Sequence, residues 1–193
     1  MNGDNRDLVR SVLEDAVGEL SGTMDAGLIP EAGCDIAYAL ADARDKDDVA
    51  AVQGRILCSL GQPRPSGPAE FGASEPMARI LLTAMKFDPD IRSAATIRCN
   101  PGILLILEDL MLETCSFDGK NAPPGTRTMD WGVASCCRSG VPDVIFDRGA
   151  SRSEPMAWVL GQDPREVAAI ISRISHRLRG VQEKAGRTGR RGE

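Results

Sequence analysis

The chain is poor in the side chains that most often carry nucleophilic catalysis and ring stacking. It contains one histidine, His176, and only 4% of its 193 residues are aromatic. The pattern places His176 near the end of the last predicted helix, where an imidazole favours the helix dipole. A Ser-His-Asp or Cys-His catalytic arrangement is therefore disfavoured. Trp131 and Trp158 could stack on a heteroaromatic ligand, although tryptophans lie more often in a core.

Metal-binding cysteine spacing and long apolar runs are also absent. None of the six cysteines forms a Cys-x-x-Cys pair, and the adjacent Cys136 and Cys137 cannot chelate one zinc ion. No apolar run approaches the ~18 residues of a membrane helix, and the N-terminus lacks the apolar core of a signal peptide. We therefore expect a cytoplasmic chain with reduced thiols and no membrane partner.

The charge is unevenly distributed along the chain. The net charge is -5, yet residues 177–193 hold six basic and two acidic residues, so the remainder is strongly acidic. An acidic body argues against a nucleic-acid partner. The Gly- and Arg-rich end predicts a disordered basic tail over residues 180–193. The chain then divides into an N-terminal amphipathic helix with a linker (1–27), one α/β domain (28–179) and that tail.

Apolar spacing predicts an alternation of helices and short strands, which is typical of an α/β domain with a covered sheet. Helices are predicted over residues 4–20, 74–85, 101–112, 128–138 and 164–178. Strands are predicted over residues 36–40, 54–60, 94–99, 113–117, 141–146 and 157–160. Ser74 and Asn100 are predicted N-caps, and Asp163 with Glu166 forms a predicted capping box. The Pro- and Gly-rich residues 61–72 predict an irregular loop.

Small-residue loops that carry arginines are the strongest hint of a ligand. Residues 72–74 (GAS) precede a helix, residues 125–128 (GTRT) combine two hydroxyls with a guanidinium, and residues 148–152 (RGASR) follow a strand. Backbone N–H groups and guanidinium groups match phosphate oxygens, so together these loops favour a phosphorylated small molecule. Ordinary turns with solvated arginines are the alternative for any single loop.

Carboxylates flank one apolar strand and suggest a weaker possibility. Asp143 and Asp147 bracket Val144-Ile145-Phe146. Carboxylates at strand ends can hold Mg²⁺ that is bound to a pyrophosphate. Solvation or capping of the strand ends is the better explanation for each aspartate taken singly.

Several of these segments resemble a known family. TMDWG (128–132), PDVIFDRG (142–149), SEPM (153–156) and LGQDPREV (160–167) are similar to motifs of the ThiN domain of thiamine-phosphate synthases, and ordered matches extend over residues 28–178. The resemblance implies a three-layer α/β/α sandwich around a mixed β-sheet, with a possible homodimer. It also implies the condensation of hydroxymethylpyrimidine pyrophosphate with thiazole phosphate, giving thiamine phosphate and pyrophosphate, with Mg²⁺ as cofactor.

The resemblance and the polar loops together define a candidate site. Arg55, Arg79 and Arg127 are the candidate catalytic residues, and Asp143 and Asp147 the candidate metal ligands. The candidate substrate- and phosphate-binding residues are Gly72, Ser74, Arg98, Thr126, Thr128, Asp130, Arg148, Gly149, Arg152 and Glu154.

The departures from the family pattern leave an alternative open. Glu75-Pro76 stands where the family usually has a histidine, and Cys34-Asp35 replaces a Ser-Asn pair. Most departures fall at polar loop positions while the apolar scaffold is kept. The alternative is therefore a non-catalytic ThiN-like module that binds thiamine phosphate, or a related phosphorylated ligand, as a sensor.

Overall fold

The computed structural model describes residues 2–148 and 154–189. Within these residues the principal helices are α1 (Asn2–Thr23), α2 (Glu75–Ala84), α3 (Pro101–Asp109), α4 (Thr128–Cys136) and α5 (Pro164–Gly189). The strands are β1 (Ile36–Ala39), β2 (Val49–Val52), β3 (Ile56–Ser59), β4 (Gln62–Pro65), β5 (Ala69–Phe71), β6 (Ser93–Arg98), β7 (Thr114–Phe117), β8 (Val144–Asp147) and β9 (Met156–Gly161).

Seven of these strands form one mixed sheet in the order β5-β2-β1-β6-β9-β8-β7, and β3 and β4 form a separate hairpin. Neighbouring strands of the sheet are antiparallel except for β7 and β8, which are parallel. The central strands are buried on both faces; β1 and β2, for example, have no exposed residue. Such strands read as continuous apolar runs, which is why the sequence predicts β1, β6 and β9. Strand β2 is equally apolar but follows the charged residues 42–48 and was not predicted.

Helices cover both faces of the sheet. One buried cluster joins α1, α3 and α5 to one face through residues such as Leu13, Leu107 and Ile171. A second cluster joins α2 and α4 to the other face through Leu81, Val133 and others. The predicted three-layer α/β/α sandwich around a mixed sheet is thereby confirmed.

Three of the predicted helix starts are those that the structure uses. The Ser74 side chain accepts a hydrogen bond from the backbone N–H of Met77, and Asn100 does the same for Ile103. Asp163 accepts from the backbone N–H of Glu166, whose own carboxylate accepts from Gln162 N–H at 2.6 Å. These contacts satisfy backbone donors that would otherwise lack a partner in the first turn.

The structure differs from the sequence prediction at both ends of the chain. Helix α1 packs on α5 and buries Leu13 and Leu20 completely, so it belongs to the same core as the sheet. Helix α5 continues to Gly189, although the sequence predicts a disordered tail from residue 180. Residues 180–189 can continue a helix that is already nucleated and packed, because they include several good helix formers. Residues 190–193 lie outside the described part of the chain.

Two further differences concern the predicted loop and the cysteines. Residues 61–72, predicted to be irregular, contain β4 and the edge strand β5. Pro63 and Pro65 are tolerated there because β4 lies at the edge of a two-stranded hairpin. Cys115 on β7 and Cys136 on α4 form a disulfide, which corrects the expectation that all thiols are reduced. Their spacing of 21 residues gave no pairing signal in the sequence.

Among the described residues, no helix is both long enough and apolar enough to cross a membrane.

Candidate functional site

A cavity of about 180 Å³ opens between α2, α4 and one end of the central strands of the sheet. Its walls combine apolar side chains with two arginines and one buried acid. The lining residues are Gly33, Asp35, Arg55, Pro76, Met77, Arg79, Ile80, Thr96, Met129, Met156 and Trp158. A mostly apolar concavity with a few convergent polar groups is the usual form of a small-molecule site.

Sheet topology brings the polar residues of the cavity together. Strands β1, β6 and β9 are antiparallel neighbours. The start of β1, the end of β6 and the start of β9 therefore lie side by side at the same end of the central strands. Asp35 precedes β1, Thr96 lies near the end of β6, and Met156 begins β9. The same pairing sets Thr96 opposite Trp158, whose ring is nearly buried.

Asp35 is the most unusual group in the cavity. The residue is only 4% exposed, and its Oδ2 accepts a hydrogen bond from Ser74 Oγ at 2.5 Å. Its Oδ1 is buried and has no hydrogen-bond partner among the described residues. Burial raises the pKa of Asp35, and this effect is opposed by the Ser74 hydroxyl and by the positive charge of Arg55.

Ser74 connects Asp35 to the start of α2. Its hydroxyl donates to Asp35 Oδ2 and accepts from the backbone N–H of Met77, at 3.4 Å. The predicted binding residue Gly72 acts through the backbone of the preceding turn. Gly72 has φ of 76°, and a Cβ atom there would lie 2.8 Å from Asp47 Oδ1. Glycine is therefore required to lead the chain from β5 into the N-cap.

Arg55 is held at the cavity in a conformation that is rare for an arginine. Its φ is 70°, in the left-handed region, directly after Gly54 at the same φ. Its Nη1 donates to the carbonyl oxygen of Ala32 at 3.0 Å, and its Nε lies 3.8 Å from Asp35 Oδ2. A strained backbone that places a charged group at a cavity suggests a functional role.

Two further predicted arginines form ion pairs close to the cavity. Arg79, which lines the wall, donates from Nε and Nη2 to Asp130 Oδ1 on α4, at 3.1 and 2.8 Å. Arg98, two residues beyond Thr96, pairs with Glu154, which also accepts a hydrogen bond from the backbone N–H of Glu31 at 2.7 Å. The structure thus brings four predicted residues, Arg79, Asp130, Arg98 and Glu154, to this region in two pairs.

The predicted loop 125–128 lies apart from the cavity wall. Arg127 is exposed, and its Nη1 lies 4.0 Å from the exposed Glu75 carboxylate. Thr126 turns its hydroxyl onto the carbonyl oxygen of Pro123, and Thr128 begins α4. None of these three side chains lines the cavity, whereas Met129, the next residue, does.

The two predicted metal ligands do not come together. Asp143 precedes β8 and Asp147 ends it. At ~3.3 Å per residue the two lie roughly 13 Å apart along the strand. Asp143 accepts a hydrogen bond from Glu113 N–H at 2.8 Å. Within residues 2–148 and 154–189, no three His, Cys, Asp or Glu side chains form a group that could hold a metal ion.

The last predicted loop is only partly described. Arg148 donates from Nε to Ser116 Oγ at 2.7 Å, on the neighbouring strand. Gly149 and Arg152 lie outside the described residues. His176 is exposed on α5 and does not line the cavity.

Sequence reasoning missed the residue on which the cavity chemistry depends. Asp35 was noticed only as a departure from a family asparagine, and Thr96, Met77 and Met156 were not selected as site residues. An acidic residue directly before an all-apolar strand was a usable signal, because a carboxylate at a buried strand end needs an explanation. The methionines gave no signal, since they fit any apolar core.

Comparison with known proteins identifies the family to which the chain belongs. The family model described as thiamine-phosphate synthase ThiN matches residues 12–173. The chain is 46% identical over 154 residues to the bifunctional thiamine biosynthesis protein ThiDN of Methanocaldococcus jannaschii, covering 78% of the chain but only 37% of that protein. It is 34% identical over 175 residues to the thiamine-phosphate synthase ThiN of Methanothermobacter thermautotrophicus, covering 86% and 92%.

A solved structure shows the same fold. The crystal structure of the C-terminal domain of protein MJ0236 superposes with a TM-score of 0.86 at 40% identity. The match covers 92% of this chain and 98% of that domain. The similarity in fold therefore extends over nearly the whole chain.

Proposed function

Because the chain belongs to the ThiN family of thiamine-phosphate synthases, we propose that it condenses hydroxymethylpyrimidine pyrophosphate with thiazole phosphate. The products are thiamine phosphate and pyrophosphate. The single observation that supports this proposal best is the cavity, where Arg55 and the buried Asp35 meet a mostly apolar, ring-sized space.

The size and lining of the cavity suit one heteroaromatic ring. A cavity of about 150 Å³ can hold a benzene molecule, so about 180 Å³ accommodates a single six-membered ring with small substituents. Trp158 and three methionines supply polarizable apolar surface. The second substrate would then approach from the open side, near the exposed part of Arg55.

The residues at the rim suit a departing anion. When the pyrimidine methylene loses pyrophosphate, negative charge develops on the leaving group, and a fixed guanidinium stabilises it. Arg55 is 39% exposed, so one side of the group faces the cavity region and another faces solvent. Two substrates held in contact in a site with little water react far faster than free molecules.

In the proposed reaction Mg²⁺ would be bound mainly by the phosphates of the substrate. Mg²⁺ is commonly bound by substrate phosphates with one or two protein carboxylates, and a dedicated protein cage is not needed. Asp143 and Asp147 do not form such a site, because they lie at opposite ends of β8. No step assigned here to Arg55 or Asp35 depends on the ion.

The proposal is tested by comparing two arginine variants. Arg55→Ala should lower the rate of thiamine phosphate formation by about 10²- to 10³-fold, as expected for the loss of one charge-stabilising donor. Arg64→Ala is the matched control, since Arg64 is an exposed arginine on the partner strand of the same hairpin. Equal rates for Arg55→Ala and Arg64→Ala would exclude Arg55 from the reaction.

One observation favours a sensor that binds a thiamine-related phosphate without turning it over. Four of the predicted arginines each have a carboxylate oxygen within 4.0 Å: Arg55, Arg79, Arg98 and Arg127. These carboxylates offset part of the positive charge that would otherwise bind phosphates. A sensor would bind thiamine phosphate but form no product from the two substrates. Calorimetric titration with thiamine phosphate, followed by the synthase assay on the same protein, separates the two functions.

A further inference from the structure

Asp35, which lines the cavity, carries a buried hydrogen-bond acceptor that nothing in the described protein satisfies. Asp35 Oδ1 is buried and unpartnered, although Oδ2 of the same carboxyl group is held by Ser74. The residue is 4% exposed, so water does not reach it freely. Native proteins satisfy nearly all buried polar atoms, and an exception calls for an explanation such as a ligand that completes it.

The other polar side chains of the cavity either already have a hydrogen-bond partner or can only donate. Thr96 Oγ1 accepts the backbone N–H of Asp35 at 2.7 Å, and Arg79 directs two N–H groups at Asp130. Arg55 can only donate. Asp35 Oδ1 is therefore the one acceptor among the described lining side chains that a buried ligand would have to match with a donor of its own.

Resting on the proposed function, we propose that Asp35 determines the specificity of the pyrimidine site, with Oδ1 accepting an N–H from the exocyclic amino group of the bound ring. A ring with the amino group donates a hydrogen bond to Oδ1, whereas a ring with hydrogen at that position leaves Oδ1 without a partner. Sites built to pair with a substrate N–H reject the analogue that lacks it, because the buried protein atom is then left without a partner.

The electrostatics of Asp35 agree with this role. Burial raises the pKa of Asp35, so the ionised form is the one that most needs stabilisation. An N–H donor from the ligand would supply it, in addition to Ser74 and to Arg55 at 3.8 Å. Apolar contacts with Met77, Met156 and the nearly buried Trp158 would hold the rest of the ring without selecting between the two analogues.

The test compares two ligands that differ only in the amino group. Wild-type protein is titrated calorimetrically with 4-amino-5-hydroxymethyl-2-methylpyrimidine and with the analogue that lacks the 4-amino group. We expect the amino ligand to bind about 10- to 100-fold more tightly. Equal affinity for the two ligands, or no binding of either, would overturn the proposal.

Variants then assign the discrimination to one side chain. Asp35→Leu removes the acceptor and should reduce the ratio of the two affinities to about one, while Asp35→Asn keeps an oxygen and should retain most of it. Asp35→Ala serves the same purpose if leucine is not accommodated. A purely structural role would weaken both ligands equally and leave the ratio unchanged, which would contradict the assignment.

The two proposals fail in different ways. Thiamine phosphate formation by a protein that does not discriminate between the pyrimidines would overturn the role of Asp35 and leave the synthase proposal standing. Discrimination by a protein that forms no product would support Asp35 and remove the synthase activity.

Discussion

Replacing Asp35 by asparagine should stabilise the ligand-free protein at neutral pH. In the folded state a carboxyl group with one unpaired oxygen is only 4% exposed. The asparagine side chain also leaves one polar atom without a partner, but an unsatisfied buried group costs about 1–3 kcal/mol when it is neutral and more when it is charged. The attraction to Arg55 offsets part of this cost, but that guanidinium is 39% exposed and 3.8 Å away, so it contributes about 0–1 kcal/mol. We therefore expect Asp35→Asn to raise the free energy of unfolding by about 1 kcal/mol at pH 7.

The stability difference between Asp35→Asn and wild type should depend on pH. Burial raises the pKa of Asp35, so the folded state binds the proton more tightly than the unfolded chain, whose aspartates titrate near 3.9. The contribution of this group to stability is therefore present at low pH and is lost as the pH rises through the folded-state pKa. The advantage of Asp35→Asn should consequently shrink as the pH falls towards ~4.

Urea unfolding of wild type and variant between pH 4 and pH 8 measures both effects. Asp42→Asn is the matched control, because Asp42 is an exposed acid just beyond β1 and should give a difference near zero. If Asp35→Asn proved less stable than wild type at pH 7, or if the difference did not change with pH, the buried and unpaired state of the carboxyl group would be refuted.

Three further outcomes are expected. Reductant should lower the melting temperature because it opens the Cys115–Cys136 bond, whose 21-residue separation corresponds to about 3 kcal/mol; identical melting curves with and without reductant would contradict that bond. Gly33→Ala should cost about 1 kcal/mol or more in urea unfolding, because φ is 92° and the new Cβ would lie 2.7 Å from Leu57 Cδ2; an unchanged midpoint would show that the backbone relaxes. In a Trp131→Phe protein the remaining Trp158 emission should change when a pyrimidine ligand is added, since Trp158 lines the cavity; unchanged emission at saturation would place the ligand elsewhere.

The layers of the fold were predictable because local and tertiary signals agree. Ser74 and Asn100 read as N-caps and act as N-caps, and the apolar runs near Ile36 and Trp158 become central strands. Strand order was not predictable, since it depends on pairing between distant segments such as β6 with β9. Residues 62–65 were missed because two prolines normally argue against a strand, and only the edge position tolerates them.

The site was predictable in outline but not in its details. Arg55, Arg79 and Ser74 were selected by residue type and loop context, and the structure brings them to one region. Arg127 satisfied the same criteria yet lies outside the cavity wall, because chemistry alone does not reveal the direction of a loop. Asp35 was overlooked although its place before an apolar strand indicated burial, because the absence of a partner for Oδ1 is not visible in a sequence.

The most direct measurement of the central claim is product formation by the wild-type protein. Purified protein is mixed with hydroxymethylpyrimidine pyrophosphate, thiazole phosphate and Mg²⁺, and thiamine phosphate is sought by mass spectrometry. We expect thiamine phosphate and pyrophosphate to accumulate together with time and with protein concentration. The absence of product, from protein that is folded and binds the pyrimidine, would contradict the synthase function and favour the sensor.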